Sequence, residues 1–348
     1  MGDISEHLRE QVREAQAQHM ALRIVGGNSK HFYGNPVQGE QLDVSAHSGI
    51  ISHEPTELVL TARGGTPLRE VEATLAEHGQ MLSFEPPHFD GNATLGGAIA
   101  AGLGGPRRPW GGAPRDLVLG VKLLDGQGQI LNFGGQVMKN VAGYDISRLL
   151  AGSLGELGVI LEVSLKVLPA PAKSRTLVLE MKREEALRQM RELSRKPLPL
   201  SGACHLDGQL YLRLAGSHAS VNAWKRRIGG EEAAEHNTFW QRLRDHQLDF
   251  FQSEQTLWRL SLAGNTPQLA CEQLSMLDWA GAQRWVYSSH DEKSIRDEVA
   301  AHRGHAQAFR NTNGISVFHP MDPLMLALQQ RLKARFDPQG ILNPGRLL

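Results

Sequence analysis

The order of apolar and polar residues predicts that the first part of the chain, residues 1–170, contains both helices and strands. Residues 5–20 repeat apolar positions at helical spacing. A second helix is predicted over residues 66–79, with Thr66 as its N-cap and a proline in its first turn. Residues 117–133 predict a hairpin, and residues 158–168 alternate apolar and polar positions as a half-buried strand does.

The pattern changes after Pro169-Ala170-Pro171, because two prolines in three residues end the strand and stiffen the exit. The elements predicted beyond it are strands at 175–181, 256–262 and 284–288, helices at 184–195, 219–228, 267–277 and 292–303, and a hairpin turning at Asp207-Gly208. This order favours an antiparallel sheet with helices on one face. We therefore expect domains at residues 1–170 and 171–322, and a C-terminal segment, 323–348, that returns to the first domain.

Composition excludes several classes of function. Lys and Arg total 37, as do Asp and Glu, so the basic excess of a nucleic-acid-binding protein is missing. Hydrophobic residues make up 41% and charged residues 21%, which is typical of a folded protein with more than one core. Two cysteines, Cys204 and Cys271, are too few for a disulfide framework or an iron–sulfur cluster. The polar N-terminus lacks a signal-peptide core, so we expect a cytoplasmic protein without a membrane span.

Glycine is concentrated in the first part, where 26 of the 37 glycines lie within residues 1–170. After a predicted strand at 22–25, residues 26–30 (Gly-Gly-Asn-Ser-Lys) present consecutive N–H groups that can form a nest for a phosphate or pyrophosphate. A tight surface turn is the alternative. The loop is neither GxGxxG nor a Walker motif, so nothing favours a nicotinamide Rossmann or P-loop protein.

Two further glycine-containing segments follow. Residues 85–88 (Glu-Pro-Pro-His) precede residues 93–102, where Thr94 can cap a short helix of small residues that lets a flat or anionic ligand approach the backbone. Close helix–sheet packing is the alternative. The third segment comprises residues 139–145 and 152–160. Three such segments in this order are far more specific than any one alone.

In this order and spacing, the segments resemble the flavin-binding domain of the vanillyl-alcohol oxidase / p-cresol methylhydroxylase (PCMH) family. The ending, residues 336–345 (Phe-Asp-Pro-Gln-Gly-Ile-Leu-Asn-Pro-Gly), resembles the 2-hydroxy-acid oxidases of that family. A finer resemblance, in residues 26–30, 105–110 and 137–145, is to FAD-binding subunits of bacterial glycolate oxidases. The resemblance implies an α+β fold: a two-part FAD-binding domain of PCMH type and an abbreviated antiparallel α+β cap domain.

The resemblance also implies non-covalent FAD. Some relatives tether FAD through a histidine in the first loop, at the position that Asn28 occupies here. The residues implied to bind FAD come from the glycine segments and the ending: Gly26, Gly27, Asn28, Ser29, Lys30, Pro86, Thr94, Gly96, Gly97, Ile99, Gly155, Gly158, Val159, Ile160 and Asn343.

Oxidation of a 2-hydroxy acid requires a cation for the carboxylate, a base for the hydroxyl proton, and a substrate carbon held against the flavin. Arg107 and Arg108, with Trp110, can provide a cationic and aromatic rim; a surface arginine pair beside a packed tryptophan is the alternative. Tyr144 and Asp145 can polarise a hydroxyl, although Asp145 also stands where a helix N-cap belongs.

The histidines are weaker candidates. His302 and His305, three residues apart at the end of a predicted helix, suit either a metal or the helix C-terminus, and no third ligand accompanies them. His88 and His319, each beside a proline in a loop, are interpreted as surface residues. We therefore expect no metal site.

The histidine-rich metal and substrate motif that catalytic relatives carry in the cap domain is missing here. The resemblance thus implies an FAD-binding subunit that oxidises glycolate to glyoxylate inside a complex. Its implied partners are a catalytic flavoprotein subunit and an iron–sulfur subunit, and any contact with the inner membrane is made through them. Two alternatives stay open: a non-catalytic flavin-binding or assembly subunit, and a stand-alone FAD-dependent hydroxy-acid dehydrogenase.

Overall fold

The structure, a computed structural model, describes residues 2–89, 91–135, 145–234, 236–312 and 314–348. The chain forms two compact units. The first unit comprises Met1–Gly104, Gly112–Ala170 and Pro320–Leu348, and the second comprises Gly105–Gly111 and Pro171–His319. The second unit therefore includes a short segment, Gly105–Gly111, that the sequence pattern leaves in the first part.

Helices and strands alternate irregularly along the described residues. The helices there are α1 (Ser5–Ala17), α2 (Leu68–Glu77), α3 (Leu95–Ala101), α4 (Arg108–Gly111), α5 (Pro114–Leu117), α6 (Ile146–Leu149), α7 (Arg183–Leu193), α8 (His218–Ile228), α9 (His236–Arg244), α10 (Glu292–Ala301) and α11 (Pro323–Phe336). The strands there are β1 (Leu22–Val25), β2 (Glu40–Asp43), β3 (Ile50–Glu54), β4 (Val59–Arg63), β5 (Gln80–Met81), β6 (Val118–Leu124), β7 (Ile130–Gly134), β8 (Val159–Lys166), β9 (Leu168–Pro169), β10 (Lys173–Glu180), β11 (Leu200–Leu206), β12 (Gln209–Gly216), β13 (Glu231–Glu232), β14 (Leu257–Ser261), β15 (Leu274–Asp278), β16 (Gln283–Tyr287) and β17 (His305–Arg310). None of these helices is both long enough and apolar enough to cross a membrane.

The first unit is built on a five-stranded antiparallel sheet with the strand order β3-β4-β8-β6-β7. Helices α2 and α3 pack against it, so that Leu75 and Leu95 share one apolar core with Val163 and Leu165 of β8. Strands β1 and β2 form a separate parallel pair beside helix α1. The C-terminal tail returns to this pair, since Leu342 forms a parallel bridge with Leu22.

Two local predictions in the first unit are confirmed and one is wrong. Strands β6 and β7 form the predicted hairpin, and Thr94 caps α3, because its Oγ1 accepts the N–H of Gly97 at 3.3 Å. Thr66 is not the N-cap of α2, because Pro67 takes that position. The Thr66 hydroxyl instead accepts the N–H of Gly49 at 2.9 Å, which ties the turn before α2 to the loop after β2.

The second unit is an eight-stranded antiparallel sheet with the order β13-β10-β12-β11-β15-β16-β14-β17. Helices α7, α8 and α10 cover one face with apolar residues. Helix α9 lies on the opposite face, where Trp240 Nε1 donates to Thr176 Oγ1 at 2.8 Å, while the adjacent Leu177 packs with α7. The expectation that helices cover one face alone is therefore incomplete.

The helix predicted at 267–277 is wrong. Residues Leu274–Asp278 form β15, which lies between β11 and β16 in the middle of the sheet. Its register with β16 joins Leu274 to Tyr287 and Met276 to Trp285. Pairing with the next strand, β16, and with the more distant β11 decides the conformation, because a short apolar run fits either helical or strand periodicity.

A buried histidine makes the stability of the second unit depend on pH. His246 stacks on Phe251 with ring centroids 3.9 Å apart, and the edge of Trp285 is nearby. Burial lowers the pKa of His246 well below 6.5, and the charges of Arg310 and Arg259 lower this pKa further. At pH values below about 6.5, His246 therefore binds fewer protons in the folded state than in the unfolded state.

The free energy of unfolding is thus expected to fall as pH drops below about 6.5, by at most about 1.4 kcal/mol per pH unit from this group. All six tryptophans lie in the second unit, so urea unfolding followed by their fluorescence at pH 7 and pH 5 measures the effect. His246→Asn, which cannot titrate and tolerates the positive φ of this position, should flatten the dependence. An unchanged slope in this variant, with exposed His218→Asn as the control, would contradict the assignment.

Candidate functional site

The first unit contains a cleft of about 370 Å³, large enough for a small-molecule ligand. Residues from β1, the loop after it, α3, the loop before β8 and the C-terminal tail line the cleft: Arg23, Ile24, Val25, Gly26, Gly27, Asn28, Ser29, Lys30, His31, Pro36, Val37, Val44, Thr94, Gly96, Gly97, Ala100, Ala101, Leu154, Gly155, Gly158, Val159, Ile160, Asn343 and Arg346.

The cleft combines positive charge with apolar surface. Three cationic side chains line it, those of Arg23, Lys30 and Arg346, and the lining within the described residues includes no Asp or Glu. Small or aliphatic residues such as Ala100 and Ile160 form much of the remaining wall. A ligand with both an anionic group and a flat apolar group fits this combination.

The loop after β1 has the properties of an anion nest. The backbone N–H groups of Gly27, Asn28 and Ser29 have no hydrogen-bond acceptor among the described residues. Asn28 is in the left-handed region at φ 55°, and its carbonyl accepts the N–H of His31 at 3.2 Å, which tightens the loop. Consecutive unpaired donors of this kind suit a pyrophosphate. The nest interpretation thus agrees with the geometry better than a closed surface turn does.

Helix α3 forms a second wall, and its two glycines have different surroundings. Gly96 serves packing, since its N–H donates to Gly64 O at 2.8 Å and a Cβ would lie 2.9 Å from that oxygen. Gly97 is exposed in the cleft, and among the described residues a Cβ there would meet only Thr94 Oγ1, at 3.0 Å. One glycine brings the helix close to the sheet, and its neighbour keeps space for a ligand.

Asn343 connects two walls of the cleft. Its Oδ1 accepts the N–H of Ile24 at 2.8 Å, and its Nδ2 donates to Leu154 O at 2.7 Å. The side chain is buried and both ends are occupied by these bonds. Asn343 therefore positions the walls of the cleft.

The structure brings together most of the sequence-predicted cofactor residues. Pro86 and Ile99 are exceptions, because neither lines the cleft. Ile99 is fully buried in the apolar core, and its carbonyl accepts the N–H of Gly152 at 3.0 Å. Tyr144 and the rest of residues 137–144 lie outside the described residues. The sequence interpretation did not include the other lining residues: Arg23, Ile24, Val25, His31, Pro36, Val37, Val44, Ala100, Ala101, Leu154 and Arg346.

The predicted arginine rim belongs to the second unit. Arg108 begins α4, and its guanidinium lies 4.6 Å from the ring centroid of Trp279. Trp279 Nε1 donates to Gly105 O at 3.0 Å, and Trp110 packs against the core of this unit. The catalytic roles of Arg107 and Arg108 stay predictions.

The remaining polar candidates have structural partners. Asp145 stands at the N-cap position of α6, but its carboxylate accepts from Ser147 Oγ at 2.5 Å and pairs with Arg148 at 2.7 Å. His88 Nε2 lies 3.0 Å from Glu72 Oε2. His302 follows the last turn of α10, whereas the ring of His305, in β17, contacts that of His319. Within the described ranges, no three His, Cys, Asp or Glu side chains are grouped to hold a metal ion.

The N–H nest, the three cations and the apolar wall of this cleft are those of a site that suits a dinucleotide cofactor. The sequence profile of the FAD binding domain family matches residues 4–134, and that of the C-terminal domain of FAD linked oxidases matches residues 319–347. Over 345 residues, the chain is 47% identical to glycolate oxidase subunit GlcE of Escherichia coli (strain K12), with 99% of this chain and 97% of that protein covered. The chain belongs to the FAD-linked oxidase family.

Two further comparisons concern a second relative and the fold. Glycolate oxidase subunit GlcD of Bacillus subtilis (strain 168) is 38% identical over 165 residues, which cover 47% of this chain and 35% of that protein. The crystal structure of p-cresol methylhydroxylase with substrate bound superposes with a TM-score of 0.72 over 99% of this chain and 88% of that chain, at 14% identity. The PCMH-type α+β fold expected from the sequence is thereby confirmed.

FAD is the cofactor of this family, and the cleft fits it. The unpaired N–H groups of residues 27–29 and the cations suit the pyrophosphate, and the aliphatic wall suits a flat ring. When bound, FAD supplies two-electron redox chemistry. The N–H groups of residues 27–29 and the cationic side chains would hold the pyrophosphate, and the aliphatic wall would position the rings.

Proposed function

We propose that this chain is the FAD-binding subunit of a glycolate oxidase complex, which oxidises a small 2-hydroxy acid to the 2-oxo acid. The observation that carries the proposal is the 47% identity to a glycolate oxidase subunit over 99% of the chain, because it extends through the second unit as well as the cofactor cleft. A match limited to the cleft would support FAD binding alone.

The electrons are proposed to leave FAD through an iron–sulfur partner subunit. Cys204 and Cys271 are the two cysteines of the chain, and both are buried. Burial raises the pKa of both thiols, to about 12 for Cys271 and well above its ordinary value for Cys204. Such thiols do not provide thiolate ligands, and two are too few for a cluster. An iron–sulfur cluster that accepts these electrons would therefore lie in a partner subunit, and any membrane contact is assigned to partners too.

A second candidate is a subunit that binds FAD without reacting with substrate, with the reaction assigned to a catalytic flavoprotein partner. It is favoured by the absence, within the ranges that the structure describes, of any three His, Cys, Asp or Glu side chains placed to bind a metal. The sequence also lacks the histidine-rich motif that the resemblance leads us to expect in a catalytic cap. A stand-alone dehydrogenase stays a third alternative.

Anaerobic visible spectroscopy distinguishes these functions. The purified chain and the complex assembled with its partner subunits are each mixed with glycolate while the oxidised-flavin bands are recorded. Bleaching in the isolated chain supports substrate oxidation by this subunit. Bands that persist in the isolated chain, with reduction only in the complex, support the second candidate. If neither preparation is reduced by glycolate, the proposed substrate is wrong.

The flavin is expected to be held without a covalent bond. Asn28 occupies the position of the tethering histidine of some relatives, and His31, which also lines the cleft, has its Nδ1 3.1 Å from Asn28 O. Acid precipitation should therefore release all flavin into the supernatant. Flavin that stays with the precipitate would contradict this, and loss of that flavin in His31→Ala would identify the attachment site.

A further inference from the structure

Arg346, in the C-terminal tail, holds the first glycine loop from the other end of the sequence. Its Nη2 donates to three carbonyl oxygens of the loop: Tyr33 O at 2.9 Å, Lys30 O at 3.3 Å and His31 O at 3.5 Å. These carbonyls follow directly on the unpaired N–H groups of residues 27–29. One guanidinium nitrogen thus orders the segment that carries the nest.

The backbone around Arg346 is itself held in place. Asn35 donates its N–H to Arg346 O at 2.9 Å and its side-chain amide to Gly345 O at 3.1 Å. On the other side, Glu156 Oε1 accepts the N–H groups of Leu347 at 2.8 Å and Leu348 at 3.3 Å. Because the tail is bonded on both sides of Arg346, its side chain leaves the backbone at a defined point of the cleft wall.

Part of the guanidinium still has capacity to donate. Only Nη2 is used by the loop carbonyls, and among the described residues neither Nε nor Nη1 of Arg346 has an acceptor. The side chain lines the cleft, where no described lining residue is acidic. Burial, with the nearby charge of Arg23, lowers the pKa of Arg346, and no acidic residue of the described lining provides a counter-charge. An anionic ligand in the cleft would provide it.

We propose that Arg346 binds the anionic pyrophosphate of FAD through its remaining guanidinium N–H groups, while Nη2 holds the loop whose backbone binds the same group. The proposal rests on FAD as the ligand of the cleft and extends the proposed function to a residue at the end of the chain. Arginine suits this task, because its planar group offers donors in two directions at once.

Flavin fluorescence titration of the FAD-free chain tests the proposal. Arg346→Ala should weaken FAD binding about 10- to 100-fold, the range for a lost charge-assisted hydrogen bond. Arg346→Lys keeps the charge and should recover part of the affinity. The matched control is Arg335→Ala, which removes the same charge from an exposed position on α11 and should bind FAD as the wild type does. Far-UV circular dichroism and melting temperatures establish that each variant is folded.

Ligands with and without phosphate separate binding from support of the fold. ADP, which contains the pyrophosphate, and adenosine, which does not, are compared as competitors of FAD. In Arg346→Ala, ADP should lose potency by about the same factor as FAD, while adenosine should be unaffected. Wild-type affinity for FAD from Arg346→Ala, or an equal loss for ADP and adenosine, would overturn the proposal. None of these measurements uses glycolate, so the outcome is independent of whether the chain oxidises it.

Discussion

Replacing Gly27 with alanine is expected to weaken FAD binding by about 100-fold or more. A Cβ at this position would overlap the backbone carbonyl oxygen of Asn92, so the loop cannot keep its place beside that segment. The N–H groups of Gly27, Asn28 and Ser29 would then lose their common direction. A hydrogen bond to a charged group contributes about 1.5–3 kcal/mol. The loss of two such bonds between the loop and the pyrophosphate therefore weakens FAD binding by about 100-fold or more.

Fluorescence titration with FAD measures the effect in the purified chain. Gly135→Ala is the matched control, because Gly135 does not line the cleft, a Cβ there has no described residue within 4 Å apart from its chain neighbours, and its φ is not positive. Gly97→Leu gives an independent variant at an exposed position on the α3 wall, where an added Cβ meets the Thr94 hydroxyl rather than backbone among the described residues, and it should also block FAD. If Gly27→Ala is folded and binds FAD within about threefold of the wild type, the loop is not the pyrophosphate site.

The sequence predicts those parts of the fold and site whose causes are local. The hairpin of β6 and β7 closes through Asp125, whose carboxylate accepts the N–H groups of Gln127 and Gln129 at 2.9 and 2.8 Å. The cap of α3 by Thr94 also needs only residues three apart. The sequence of the glycine loop after β1 likewise indicates that the loop can present N–H groups.

Long-range contacts are the part that the sequence does not reveal. Arg346 donates to carbonyl oxygens of a loop more than 300 residues earlier in the sequence. The residues adjacent to Arg346 do not indicate which carbonyls it will contact. Resemblance to a family brought Asn343 into the site, but its role in joining Ile24 to Leu154 follows from the structure alone. Arg23 and Val44 line the cleft because β1 and β2 pair in parallel, which depends on the whole unit.

The failures also have physical causes. Ile99 lies on a helix that borders the cleft, yet its side chain points into the core, since a helix presents adjacent residues in different directions. Residues 267–277 include apolar positions that fit helical spacing. An ion-pair cluster and pairing with two neighbouring strands instead stabilise a conformation that is not helical. The carboxylate in that cluster belongs to Glu272, and its contribution to stability can be measured.

Glu272→Gln is expected to destabilise the second unit by about 3–5 kcal/mol, the cost of leaving buried charges without their counterion. Both Glu272 and Arg284 are fully buried, and Glu272 Oε1 accepts from Arg284 Nη1 and from the N–H of Leu269 at 3.1 Å. Glu272 Oε2 pairs with Arg183. Burial lowers the pKa of both arginines to about 10, so both remain charged at neutral pH. Glutamine would remove the negative charge and direct an amide N–H₂ toward a guanidinium.

Urea unfolding followed by tryptophan fluorescence reports on this unit, because all six tryptophans lie in it. Glu254→Gln makes the same chemical change at an exposed position of the same unit and should alter the unfolding free energy by no more than about 0.5 kcal/mol. FAD affinity is a second control, since the cofactor cleft is built from the first unit and should be retained in Glu272→Gln under native conditions. A loss below about 1 kcal/mol would show that the carbonyl oxygens of Pro267 and Gly281, at 2.9 and 3.3 Å, suffice to hold the Arg284 charge.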